Sequence, residues 1–197
     1  RLLFLLALSF ATLASAQDAA VSRKPAAIET TGVPEVPEPV WDDIEQYENT
    51  RGAGFAGWSP GGRGMAIRTR FGNSLQLHQV YEPGGRREQI TFFEEPVGGT
   101  FIPQSKDGSM LVTLSRGGSE DNQIYLLDRD RYETQLLTDG ESRNNLGPIA
   151  HDGSQMVVHS NRRNGRDTDL YVADPRKPHS MEMLYETDGE YWVATDW

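Results

Sequence analysis

The sequence contains no cysteine, and this absence is the first constraint on the protein. Without thiols it can form neither a disulfide framework nor a cysteine-based zinc site. Basic residues are also scarce, because 19 Lys and Arg stand against 29 Asp and Glu, for a formal net charge of −10. No basic stripe offsets the repulsion that a phosphate backbone would feel, so the sequence argues against nucleic-acid binding.

Long apolar runs are missing except at the start, where the chain reads "RLLFLLALSFATLASAQ". This run is shorter than the ~20 residues of a membrane span, and small residues precede Gln17, as signal peptidase requires. We predict a signal peptide over residues 1–16, cleaved between Ala16 and Gln17. The mature chain is then exported to the periplasm or beyond and keeps no stable membrane span. An uncleaved signal, which would anchor it to the membrane, is the alternative.

Residues 17–50 are rich in Ala, Pro, Thr and Glu, as in "TTGVPEVPEPVW". Alternating Pro and Glu suit an extended linker, and we expect a short helical turn from Asp42 to Asn49. Because the sequence begins at Arg1 and stops at Trp197 within "VATDW", we also expect it to be a fragment of a longer protein.

After this linker the sequence repeats. The turn glycines Gly62, Gly108 and Gly153 are 46 and 45 residues apart. A period in the mid-forties with frequent turn signals is typical of four-stranded units arranged as a β-propeller. We therefore predict an all-β fold, with a partial β-propeller of four-stranded blades over residues 51–197. The predicted blades cover about 54–91, 99–138 and 145–187, and a fourth begins at 190.

The polar run "NRRNGRDTD" (161–169) occupies the place of "FGNS" in the first copy and "RGGSEDN" in the second. Each is predicted to be a corner between the second and third strands of a blade. A surface turn is the simpler interpretation. A substrate-facing loop stays open as the other, because the paired guanidiniums of Arg162 and Arg163 suit a carboxylate.

We find no motif that carries catalysis. There is no G-x-S-x-G turn to expose a nucleophilic serine, no phosphate-cradling loop and no pair of His residues at metal-ligand spacing. The acidic runs "SEDN" and "DTD" lack the pattern of a calcium loop and are predicted to be solvated corners. We predict no catalytic, metal-binding or cofactor-binding residue in this chain, and we expect Trp58, Tyr125 and Tyr171 to be packing residues.

The repeats resemble the WD40-like units of the periplasmic TolB protein and of prolyl oligopeptidase-type peptidases, through "WSPGG" (58–62) and "LYVAD" (170–174). Gly61 departs from the pattern, in which Asp is usual, and should loosen that turn slightly. Three longer stretches resemble the N-terminal half of exported bacterial S9 family serine peptidases, which include dipeptidyl aminopeptidase and acylaminoacyl-peptidase types. They are residues 69–97, 136–145 and 160–172.

The S9 resemblance implies that the propeller gates access of short peptides to an α/β-hydrolase domain that carries Ser, Asp and His. None of these three residues maps onto this chain, so the peptide substrate would be cleaved by a domain outside it. Two alternatives stay open. One is a stand-alone, non-enzymatic periplasmic propeller of the TolB type that binds proteins or ligands. The other is a propeller that binds a glycan or peptide.

Overall fold

The computed structural model describes Lys24, residues 27–48 and residues 50–197, so the predicted cleavage site at Ala16 and Gln17 lies outside the described residues. The chain divides after Glu48 into two compact units. In the first, helix α1 spans Glu38–Glu48. It begins four residues before the expected helical turn, because Pro39 occupies the first turn, where no backbone N–H is needed. In the described part of the chain, no helix is long and apolar enough to cross a membrane.

The second unit contains three four-stranded antiparallel sheets, each a simple meander in chain order. We call them blades 1, 2 and 3. This arrangement confirms the all-β, propeller-type prediction. Blade 1 contains β1 (Gly54–Trp58), β2 (Met65–Thr69), β3 (Gln76–Val80) and β4 (Glu88–Gln89); blade 2 contains β5 (Gly98–Phe101), β6 (Met110–Leu114), β7 (Gln123–Asp128) and β8 (Glu133–Leu136); blade 3 contains β9 (Asn144–Ile149), β10 (Met156–Ser160), β11 (Asp169–Ala173) and β12 (Glu182–Tyr185).

Blade 2 is apolar on both faces because it packs between two neighbours. Along β6, Met110 and Val112 belong to the hydrophobic cluster shared with blade 1. Leu111, between them, belongs to the cluster shared with blade 3. Successive residues of a strand point to opposite faces, so a strand covered on both sides carries apolar residues on both of its faces. This explains the continuous run "MLVTL" in the sequence.

The first turn of each blade is closed by a carboxylate, except in blade 1. Asp107 accepts hydrogen bonds from the side chains of Ser105 and Ser109, and Asp152 accepts one from the backbone N–H of Ser154 (2.9 Å). Burial raises the pKa of Asp107, but these hydrogen bonds outweigh it and leave the pKa well below its usual value. Gly61 stands at the equivalent position and forms a short 3₁₀ turn instead.

Arginines join each blade to the one before it at the end where these first turns lie. Arg176 of blade 3 donates to the hydroxyl of Ser105 in blade 2 (3.0 Å). Arg129 of blade 2 donates to the side-chain oxygen of Gln79 in blade 1 (2.9 Å). Both lie just after a third strand, at positions that differ by one residue in the repeat, and each places a guanidinium against the preceding blade.

His159 of β10 ties the last segment of the chain to blade 3. Its Nε2 accepts a hydrogen bond from the backbone N–H of Ala194 (3.0 Å), and the ring also bonds the backbone of Asn145. Burial lowers the pKa of His159, and the Asn145 bond opposes this. The neutral ring is therefore the form that can accept from Ala194.

We expect this tie to weaken in mild acid. Because the folded-state pKa of His159 is lowered, its contribution is present above the ordinary value of about 6.5 and is lost as the pH falls below it. Hydrogen exchange should show a smaller protection factor for the Ala194 amide at pH 5 than at pH 7.5. In His159→Gln, which accepts without titrating, the factor should not change with pH. Equal pH dependence in both proteins would contradict this role for His159.

Candidate functional site

One concavity of the described structure is a cleft beside the first strands of blades 2 and 3, with a volume of about 400 Å³. First strands of propeller blades line the central channel, so we call it the axial cleft. Its walls are the backbone and side chains of two first strands, one second strand and one corner. They comprise Gly99, Thr100, Thr113, Asn122, Asn144, Asn145, Leu146 and Gly147.

Side-chain amides give the axial cleft its chemistry. Asn144 is fully buried, and its Nδ2 donates to the backbone oxygen of Ser142 (2.7 Å) and to that of Asn122 (3.3 Å). Its Oδ1 is buried without a hydrogen-bond partner within the described structure. Such an atom carries a free-energy cost unless a donor reaches it. With Asn122 and Asn145 beside it, the cleft offers neutral donors and acceptors that match peptide groups.

A repeated polar cluster fixes the loops around the cleft. The first residue of each third strand is a buried polar side chain: Gln76, Gln123 or Asp169. In blade 2, Gln123 Oε1 accepts from Thr138 Oγ1 (2.6 Å) and from the backbone of Gly140 (2.9 Å). These bonds hold the link that leads into β9. The side chain at this position therefore sets where the next blade begins.

Blade 3 carries a charge at this position, and Arg163 neutralises it. Arg163 Nε lies 2.7 Å from Asp169 Oδ2, and Nη2 donates to the backbone oxygen of Thr187 (2.8 Å). The hydrogen bond from Arg163 lowers the pKa of Asp169, and burial opposes it. The guanidinium also contacts Glu186 at 3.1 Å. Arg163 is thus part of a structural ion-pair cluster, and the prediction that "DTD" is a solvated corner is wrong at Asp169, which is fully buried.

Arg162 lies over an aromatic ring. Its guanidinium is 5.7 Å from the centre of the Tyr171 ring, and Arg116 lies 5.8 Å from Tyr125 in blade 2 in the same way. Such cation–π contacts stabilise exposed corners by about 0.5–1 kcal/mol. The structure therefore places the predicted loop residues Arg162 and Arg163 at the corner between β10 and β11, and neither lines the axial cleft.

The structure corrects one of the expected packing residues. Tyr125 and Tyr171 are buried, as expected, but Trp58 is 71% exposed. Its ring contacts Phe55, with centres 5.2 Å apart. Trp58 is the last residue of β1. Outside its own blade, β1 contacts β5 of blade 2, and no segment of the described chain covers the Trp58 ring. In the same described residues, no group of three or more His, Asp or Glu side chains is arranged to hold a metal ion.

Sequence reasoning missed the amides of the axial cleft. The signal was Asn145 at the start of a first strand, where the strand registers place Gly54 in blade 1 and Gly98 in blade 2. A side-chain amide is unusual at a position that is glycine in the other two copies. Asn122 had no signal, because only the packing of blades 2 and 3 brings that corner to the cleft.

Comparison with known proteins identifies the fold. No protein-family model matches the sequence, and neither does any curated protein. Among solved structures, the crystal structure of TolB from Acinetobacter baumannii matches with a TM-score of 0.54 and 23% sequence identity. The match covers 69% of this chain and 33% of that one, so this chain spans about a third of the length of that structure. At this identity, the likeness establishes the propeller fold.

Proposed function

We propose that this chain is the substrate-admitting propeller of an exported S9-type serine peptidase, with the axial cleft as the place where peptides are held. The observation that carries the proposal is the cleft itself, whose walls include the side-chain amides of Asn122 and Asn145 beside the fully buried Asn144. Such amides pair with the N–H and C=O groups of a peptide. The resemblance of residues 69–97 to S9 peptidases supports the peptidase part of the proposal.

In this proposal the chain binds and selects, and another domain performs the chemistry. A serine in an α/β-hydrolase domain outside this sequence attacks the peptide carbonyl and forms an acyl-serine intermediate, with an oxyanion hole stabilising the transition state. The propeller contributes by orienting short peptides and by excluding large ones. Neutral amides suit this task because they bind any peptide backbone without selecting side-chain charge.

A first test is the reading frame downstream of the codon for Trp197. A frame that runs on and encodes G-x-S-x-G, followed by Asp and then His, would support the peptidase. A frame that closes after further blades without this motif would contradict it and favour the second candidate, a non-enzymatic periplasmic propeller. The structural likeness to TolB is the observation that favours that candidate.

A second test addresses the axial cleft directly. We expect Asn145→Leu to weaken binding of trialanine about fivefold to tenfold, the effect of losing a hydrogen bond of ~1 kcal/mol. Binding is measured by titration calorimetry on the 197-residue chain. Gln155→Leu is the control, because it also replaces a side-chain amide with leucine, at an exposed position outside the cleft. Equal affinities for all three proteins would remove the cleft from the proposal.

A further inference from the structure

The polar run between β10 and β11 contains a dipeptide whose chemistry neither the fold nor the axial cleft uses. We call residues 161–168 the blade 3 corner. Within it Asn164 is followed by Gly165, and both are exposed. Asparagine is among the chemically labile residues of proteins. It is most labile before glycine, because a neighbour without a side chain lets its own backbone nitrogen reach the asparagine side chain. Asn164–Gly165 is the single Asn-Gly pair in the sequence.

The reaction to which this pair is prone is deamidation. The backbone nitrogen of Gly165 attacks Cγ of Asn164, and the Cγ–Nδ2 bond breaks. Nδ2 leaves as ammonia, together with the proton lost by the Gly165 nitrogen. Water then opens the resulting succinimide ring at one of its two carbonyls. The product is aspartate or isoaspartate, and in isoaspartate the main chain runs through the side-chain carbon.

In the folded corner, hydrogen bonds hold both reacting groups. The Gly165 N–H donates to the backbone oxygen of Asn161 (2.7 Å), so the attacking nitrogen keeps its proton and faces Asn161. Asn164 Oδ1 accepts from the backbone N–H groups of Arg166 (3.0 Å) and Asp167 (2.9 Å). Asn164 Nδ2, the leaving group, donates to Asp167 Oδ2 (2.8 Å). The reaction therefore requires that these bonds break by local opening of the corner.

Two further contacts fasten the corner to the rest of blade 3. Arg163, the residue before Asn164, binds the buried Asp169 (2.7 Å). Asn161 Oδ1 accepts from the backbone N–H of Arg143 (2.8 Å), and the Asn161 N–H donates to the backbone oxygen of Arg143 (3.2 Å). Arg143 directly precedes β9, so the corner is tied to the first strand as well as to the third. Opening is therefore opposed at both ends of the corner.

The equivalent corner of blade 2 has the same length and a different pair. The strand registers place Gly118 and Ser119 at the positions of Asn164 and Gly165. The Ser119 N–H donates to the backbone oxygen of Arg116 (3.2 Å), so that corner is also closed by a backbone hydrogen bond. A corner of this length therefore forms without an Asn-Gly pair, and the fold does not explain why blade 3 has one.

We propose that Asn164 is a latent deamidation site, closed in the folded blade and reactive when the blade 3 corner opens. The product does not restore the corner. A carboxylate at residue 164 would lie beside Asp167, where an amide N–H now donates to it, and like charges repel. Isoaspartate also lengthens the main chain of the turn by a methylene group. Modified chains therefore accumulate with the time that the corner has spent open, whatever the function of the axial cleft.

The test compares the 197-residue chain with the capped peptide NRRNGRDTD, both kept at pH 8 and 37 °C. Peptide mapping by mass spectrometry measures the aspartate and isoaspartate formed at residue 164. We expect the folded chain to react at least about thirtyfold more slowly than the peptide, because the corner is open for a small fraction of the time. In guanidinium chloride that unfolds the chain, its rate should rise to that of the peptide. Equal rates without denaturant, or no rise on unfolding, would overturn the proposal.

Two neighbouring arginines locate the opening. Arg163→Ala removes the bond to Asp169 and should raise the rate in the folded chain at least about fivefold. Arg162→Ala is the matched control, because it removes an equal charge from the same corner and leaves that bond in place. It should change the rate by less than about twofold. Each rate is divided by that of the peptide with the same substitution, which cancels the effect of sequence on the reaction itself.

Equal acceleration by both arginine variants, or by neither, would contradict an opening that starts at this corner. If Arg163→Ala does not fold, Asn161→Ala decides instead. It removes the side-chain bonds to the backbone of Arg143 (2.8 Å) and Gly165 (3.1 Å) and leaves the ion pair with Asp169 intact. We expect it to raise the rate at least about fivefold as well.

Hydrogen exchange tests whether the product keeps the corner open. The deamidated chain is separated from the unmodified chain by its added negative charge, and the amide of Gly165 is followed in both. We expect this amide to exchange at least about fivefold faster in the deamidated chain. The amide of Ser119, in the equivalent corner of blade 2, is the internal control and should keep its protection. Unchanged exchange at Gly165 would overturn a lasting opening of the corner.

Discussion

Replacing Arg163 with alanine is expected to lower the melting temperature by on the order of 5–10 °C. The reason is Asp169, which has no exposed surface and would be left as a buried carboxylate without its guanidinium. Removing one partner of a buried ion pair costs more than the pair contributes, because the remaining charge stays desolvated. Thr187 would still donate its backbone N–H to Asp169 (2.9 Å), so the blade should remain folded.

The other blades supply the control. At the positions of Arg163 and Asp169, blade 1 has Gly72 and Gln76, and blade 2 has Gly117 and Gln123. The double variant Arg163→Gly/Asp169→Gln should therefore recover most of the lost stability. If the double variant is as unstable as Arg163→Ala, the unpaired charge of the buried Asp169 is not the cause of the lost stability. Circular dichroism melts of the three proteins at pH 7 decide between these results.

The pH dependence of this pair has a definite sign. Arg163 lowers the folded-state pKa of Asp169, so the stability from the pair is present above the ordinary Asp value of about 3.9. It is lost as the pH falls below that value toward the folded-state pKa. The difference in melting temperature between wild type and the double variant should accordingly shift against wild type in acid. The comparison cancels the contributions of Asp107 and Asp139, whose folded-state pKa values are also lowered, because both proteins retain these residues.

The second large effect is expected at Gly153, in the first turn of blade 3. Its φ is +71°, and an added Cβ would lie 2.3 Å from the backbone oxygen of Pro103 in blade 2. Gly153→Ala should therefore destabilise the protein in two ways. It holds alanine in the left-handed backbone region, and its Cβ pushes blades 2 and 3 apart. We expect a loss of roughly 2–5 kcal/mol in the free energy of unfolding.

Gly165 is the matched control, because its φ is +74° and nothing lies within 4 Å of its added Cβ. Gly165→Ala should cost the backbone term alone, about 1–2 kcal/mol. Urea denaturation followed by tryptophan fluorescence measures both. If the two variants lose the same stability, the close approach between blades 2 and 3 does not contribute, and the interface is softer than the packing indicates.

The repeat in the sequence was sufficient to place the corners between second and third strands. The predicted corners lie between β6 and β7 and between β10 and β11, because turn glycines and unbroken apolar runs are local properties of the chain. The first residue of α1 was harder to predict, because Pro39 is typical of a linker and is also tolerated in the first turn of a helix. The fate of Trp58 was predicted wrongly, because an aromatic residue in a repeat position is buried only if a neighbour covers it.

The sequence by itself determined that this protein is built from repeated four-stranded blades, that it is acidic and that it has no cysteine chemistry. The tertiary structure alone decided which side chains meet. It brought Asn122 to Asn144, Arg51 to Phe71 and Arg163 to Asp169. The physical reason is that strand period and turn geometry are encoded within a few neighbouring residues, whereas a cleft or pocket needs contacts between separate segments. Those contacts exist only after each blade has folded and, for Asn122 and Asn144, after blades 2 and 3 have packed.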